Sequence, residues 1–139
     1  MIHHFTDHVN WLSLLLASLA YFILGAIWYG GIFSKPWVKL SGINVDDPNM
    51  KKGVAVTMLS SFILMAVSCI GLSIFRQQIP MNNYQDALHI ALLLGICFST
   101  PAISIGYLYN KKPAGLYFID CGYHLLGLIL ASVIMQYLG

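Results

Sequence analysis

Polar and charged residues are confined to a few short stretches of this chain, and between them run four apolar segments, 11–29, 53–75, 87–109 and 116–138. Each is long enough for a helix to cross the hydrocarbon core of a bilayer, which takes about 20 residues at helical rise. Breakers fill the gaps. Two glycines, Gly30 and Gly31, close the first segment; Pro80, Asn82 and Asn83 separate the second from the third; Asn110, Lys111, Lys112 and Pro113 separate the third from the fourth. Such residues end helices and cap new ones. The predicted fold is therefore all-α: a polytopic membrane protein, a four-transmembrane-helix up-down bundle, making one integral membrane domain over residues 1–139.

Details within this pattern predict packing. Ala87, Ala91, Gly95 and Ser99 recur at four-residue intervals, the spacing that lets helix backbones approach closely in lipid. The row suits either a neighbouring helix or a second copy, and a homo-oligomer is expected. Pro101 withholds its N–H from the carbonyl of Cys97, so a kink is expected there. Between the first two segments, FSKPWVKLSG sets Lys35 and Lys39 among Trp37, Val38 and Leu40, which reads either as a short amphipathic segment along the interface or as a connecting loop with an aromatic anchor. Asp47 followed by Pro48 predicts a helix start ahead of Gly53. A faint echo between LSLLLAS from Leu12 and IALLLGI from Ile90 puts Tyr29 and Tyr107 at the same later offset.

Composition agrees with a membrane protein. Hydrophobic residues make up 58% of the 139 positions and charged residues 9%, against roughly 25% charged in a soluble domain. The net charge is +2, and no basic run interleaved with aromatics points to nucleic acid. The leader MIHHFTDH has no Lys or Arg, so the first segment reads as a retained span rather than a cleaved signal. Cys69, Cys97 and Cys121 fall at different depths and predict no disulfide. Lys35, Lys39, Lys51, Lys52, Lys111 and Lys112 all lie on one side of the membrane, with Arg76 on the other. The positive-inside rule puts the lysine loops in the cytoplasm and both termini outside.

Candidate chemistry centres on YFIDCGYH, from Tyr117 to His124, where Asp120 and His124 share a helical face with Tyr117, Gly127 and Ala131. Ionisable groups at membrane depth are costly enough to mark a functional site by default. Trp28, Tyr29, Tyr107, Tyr109, Asn110 and Tyr123 belong to the same depth, which predicts a polar, aromatic-walled pocket near the cytoplasmic side for a small molecule or ion. Asp120 and His124 would act there as a proton-responsive or cation-binding pair. The structural alternative places Asp120 in the first turn of its helix, favoured by the helix dipole. At the opposite end Asp86 and His89 open the third segment, near Asn10 and Arg76, and an Asp86–Arg76 salt bridge is expected. With His4 and His8 of the leader, Asp86 and His89 are also a candidate divalent-metal set.

No enzyme motif is present, neither H-E-x-x-H nor G-x-S-x-G nor a phosphate-cradling glycine loop, and the chain contains no glutamate. No cofactor is implied. The reading is a small integral membrane binding or interaction module in contact with the lipid bilayer; the alternative is a proton- or cation-coupled transporter of a small solute.

The opening NWL, the span-end WYG, the loop FSKPWVKLSG and the final-span string FIDCGYHLLG together resemble the bacterial small-membrane-protein family catalogued as domain of unknown function seventeen sixty-one. The resemblance covers nearly the whole chain. It implies a four-span, multi-pass protein of the bacterial plasma membrane (the cell inner membrane), and it implies no activity.

Overall fold

The computed structural model describes residues 7–139, and the described residues form helices joined by turns. Helix α1, Trp11–Ile27, runs on into a π-helical turn, Trp28–Ile32, and is followed by the short α2, Ser34–Ser41. Next come α3, Val54–Gln78, and α4, Tyr84–Leu94. A second π-helical turn, Gly95–Ser99, joins α4 to α5, Thr100–Tyr109, and α6 is Ala114–Leu138. Four of the resulting units, Trp11–Ile32, Val54–Gln78, Tyr84–Tyr109 and Ala114–Leu138, are long and apolar enough to cross a membrane.

Side chains fix the helix starts. The Asn10 side chain accepts the Ser13 N–H at 3.1 Å. The Asn83 side chain accepts the Asp86 N–H at 3.0 Å, and the Asp86 carboxylate accepts the Asn82 N–H at 2.9 Å. These bonds satisfy amides that lack partners in a first turn. Asp86 is thus a capping residue, and the expected Asp86–Arg76 bridge is replaced by other bonds on both sides. Asp47 also caps, but not a helix. Its carboxylate takes the Asn49 N–H at 2.9 Å in a local turn, and α3 starts only after Gly53, whose φ of 75° breaks the run.

Helix α6 is the centre of the bundle. It packs along α1 on one side and along α4, the second π turn and α5 on the other, with α2 against its first turns. Helix α3 packs chiefly on α1 and only lightly on α6; α3 and α4 adjoin in sequence without packing along each other. Burial follows this order, with 44% of the apolar window of α6 buried and 11% of that of α3. Val56, Leu59, Leu64 and Val67 of α3 face outward, as lipid contact requires.

The α1–α6 contact is a reciprocal exchange of large and small residues. The Tyr21 ring lies on Gly127, where an added Cβ would come within 1.8 Å of it, and the Tyr123 hydroxyl lies over Gly25, where a Cβ would come within 2.9 Å. The two rings meet with centroids 5.4 Å apart. On the other side, Ala87, Ala91 and Gly95 are buried. A Cβ on Gly95 would meet Leu125 at 2.4 Å, and Ser132 Oγ donates to the Ala87 carbonyl at 2.9 Å. The small-residue row is therefore used inside the bundle, so it is not presented to a second copy.

The irregularity expected at Pro101 takes a specific form. The π turn immediately before it carries Thr100 N–H to the Gly95 carbonyl, one residue beyond α-helical reach. This wider turn stands where a proline lacks an N–H and crowds the preceding carbonyl. The short segment after the first span is helical, which decides for the amphipathic segment over a connecting loop. Leu40 packs on Gly115 of α6, Trp37 meets Tyr29 with ring centroids 5.3 Å apart, and Lys35 and Lys39 are exposed.

Candidate functional site

Asp120 is 8% exposed and lies on the inner face of α6. It is the seventh residue of that helix, beyond the first turn, so the dipole explanation for its placement does not apply. Both carboxylate oxygens are held by phenols from different helices. Tyr29, in the π turn after α1, donates to Oδ1 at 2.5 Å, and Tyr107 of α5 donates to Oδ2. Hydrogen bonds to a carboxylate are roughly twice as strong as neutral ones, so the two phenols offset part of the cost of taking this group out of water.

His124, one turn further along α6, is not bonded to Asp120. Its Nδ1 pairs with the Tyr21 hydroxyl at 2.6 Å, and among the described residues Nε2 has no hydrogen-bond partner. The expected pair is thus two adjacent polar centres, each held by tyrosine. Tyr123, a member of the hydrophobic core, packs against both. Its ring lies 4.9 Å from the His124 ring and 5.2 Å from Tyr29 between centroids, and its hydroxyl donates to the Tyr21 carbonyl at 3.1 Å.

The remaining candidates divide by direction. Trp28 donates from Nε1 to the Ile119 carbonyl at 2.9 Å, which ties the first π turn to α6 beside the carboxylate. Tyr117 stands edge-on to Tyr107 at 5.3 Å and backs it. Asn110 does not join the site: it is exposed, and its side chain donates to Gly106 of its own helix at 2.8 Å. Tyr109, 86% exposed, points away as well. Tyr21 is the residue that depth alone did not pick out. Its signal in the sequence was Gly127, a gap on the His124 face that only a large neighbour fills.

At the opposite end, Arg76 turns inward. It donates to the Ser132 carbonyl at 3.0 Å and to the Gln136 side chain at 2.8 Å. His89 is exposed, and His4 lies outside the described residues. Among the described residues no three His, Cys, Asp or Glu side chains gather as a metal site would require. Cys69, Cys97 and Cys121 are free thiols.

Residues 12–136 match the family model described as "Protein of unknown function (DUF1761)". No curated protein and no solved structure matches the chain.

Proposed function

The chain belongs to the DUF1761 family, and we propose that it is a small integral membrane binding module whose ligand is a small cation, received between Asp120 and His124. One observation carries this reading: among the described residues, a carboxylate buried in the bundle has only neutral phenols, Tyr29 and Tyr107, as its hydrogen-bond partners. An ionised group at membrane depth ordinarily acquires a compensating charge. The aromatic surround of Tyr21, Tyr29, Tyr107 and Tyr123 is chemically suited to a cation as well, since ring faces attract positive charge. His124 Nε2 supplies a further polar atom one turn away.

The site lies toward the end of the bundle that carries the lysine loops. Those loops are cytoplasmic in this proposal, and both ends of the chain are outside. Asp120 is six residues from the start of α6, about 9 Å in depth, which favours a one-sided site over a path through the membrane.

The test uses purified protein in lipid nanodiscs, heated in sodium, potassium or ethylammonium chloride at matched ionic strength. A cation bound only by the folded protein raises Tm by an amount that grows with the logarithm of its concentration once that exceeds Kd. Wild type should show this rise with at least one of the three, and Asp120→Asn should lose it. Equal responses in the two proteins would remove the proposed site. Cation flux into liposomes that is abolished by His124→Ala would replace the binding module with a transporter.

A further inference from the structure

The bond between Tyr21 and His124 has a direction that the surrounding atoms assign. The Tyr21 hydroxyl has one hydrogen-bond partner among the described residues, His124 Nδ1 at 2.6 Å, and Tyr21 is 2% exposed. If Nδ1 carried the ring proton, it would donate to the phenol oxygen, and the phenol proton would be buried without an acceptor. With the phenol as donor that cost disappears. Nδ1 then accepts, and the neutral imidazole carries its proton on Nε2.

This Nε2–H has no acceptor among the described residues, and it is not sealed: the sealed, unpartnered side-chain nitrogen there is Gln77 Nε2, and His124 Nε2 is open to a molecule from outside the chain. His124 is half-buried and lies ten residues into α6, about 15 Å at helical rise. That is mid-depth in a hydrocarbon core of about 30 Å. An N–H without an acceptor is costly at this depth, and lipid ester groups lie too near the surface to supply one. Ring contacts with Tyr21 and Tyr123 explain the seat of the imidazole. They do not explain its outward proton.

Asp120 stands one turn earlier on the same helix, where Cβ atoms of residues four apart are about 5–6 Å from each other. The two side chains ask for opposite chemistry: the carboxylate takes positive charge, and Nε2–H takes a lone pair. A bare metal ion suits only the first, and the described residues gather no further acidic or imidazole ligands for it. We propose that the ligand is a small organic ammonium carrying an oxygen acceptor a few bonds from its charge, with the ammonium on Asp120 and the oxygen on His124 Nε2–H. This inference rests on the cation reading above and narrows it. Tyr21 is then a positioning residue, since its hydroxyl fixes which imidazole nitrogen holds the proton.

Protein in nanodiscs is titrated at mildly alkaline pH, where an ordinary imidazole is neutral, with methoxyethylammonium and with butylammonium. These probes differ by an ether oxygen in place of a methylene, and the dependence of Tm on concentration gives the ratio of their apparent affinities. The double variant Tyr21→Phe/His124→Leu removes Nε2–H without leaving the phenol unpaired, and its preference for the ether should be about three- to tenfold lower than that of wild type, the equivalent of one hydrogen bond. An unchanged ratio, with Asp120→Asn still abolishing the rise, would overturn the inference and leave the cation site standing. So would a rise with sodium or potassium alone. No rise with any cation would remove both. A second measurement needs no variant of the site: in protein whose His3, His4, His8 and His89 are replaced by glutamine, nitrogen NMR of the remaining histidine should show Nδ1 bare and Nε2 protonated. The opposite tautomer would overturn the inference whatever the affinities.

Discussion

Replacing Gly127 by alanine tests the α1–α6 contact and the His124 environment at once. The new Cβ would lie 1.8, 2.1 and 2.6 Å from three atoms of the Tyr21 ring, far inside contact distance, so the ring must leave its place. Overpacking of this kind typically costs about 1–3 kcal/mol. The displaced ring also takes its hydroxyl from His124 Nδ1, now 2.6 Å away, at about 1 kcal/mol for the lost bond. Against these stands a gain of up to about 1 kcal/mol from alanine's higher helix propensity. The net expectation is a loss of about 1–3 kcal/mol. Gly71→Ala is the control, since it adds the same methyl within α3 at a position where a Cβ meets nothing within 4 Å. It should be neutral or slightly stabilising. Equilibrium unfolding in mixed micelles of maltoside and dodecyl sulfate, followed by near-UV circular dichroism, gives both values. A double-mutant cycle with Tyr21→Leu identifies the cause, because with the ring gone the Gly127→Ala penalty should shrink by at least about 1 kcal/mol. Equal effects of Gly127→Ala and Gly71→Ala, or an unchanged penalty without Tyr21, would refute the seating of the ring on Gly127.

Asp120→Ala leaves two phenols without an acceptor and should cost about 2–4 kcal/mol, more than Tyr29→Phe, which removes a single charge-assisted bond worth about 1.5–3 kcal/mol; the same unfolding assay ranks them, and the reverse order would show that Tyr29 is held by its ring contacts. In a background freed of Cys69, Cys97 and Cys121, a cysteine at Lys52 should resist membrane-impermeant thiol reagents in intact cells and one at Gln85 should react. Labelling at position 52 from outside would invert the orientation.

The spans were legible in the sequence because hydropathy over about 20 residues is a strong signal; their ends were less so. Helix α3 extends past Phe75 through Arg76 and Gln77, polar residues that remain helical because they face the bundle. Helix α4 starts at Tyr84, in a turn of low hydropathy whose cap, Asn83, set the boundary. For the site, depth along a helix was readable and direction around it was not. Tyr107 and Tyr109 are nearly equal in depth, yet two residues are about 200° of helical rotation, enough to put one on Asp120 and the other at the surface. The equal offset of Tyr29 and Tyr107 in the two similar segments has a counterpart in the site, since the two phenols take opposite oxygens of one carboxylate. The i,i+4 spacing of Asp120 and His124 put them on one face as a pair, but each is held by partners from neighbouring helices, which spacing along a single helix does not encode.

The central position of α6 also bears on assembly during synthesis. Chains emerge from the N-terminus, and α1 and α3 can pair as soon as both are in the bilayer, since they pack on each other directly. The third span has no such early partner: it adjoins α3 without packing along it, and its buried row of Ala87, Ala91 and Gly95 fits α6. That span must therefore wait in lipid, its small-residue face uncovered, until the last helix is inserted. The arrival of α6 then joins a preformed hairpin to a solitary helix in one step, and the same step brings Asp120 between the tyrosines of both.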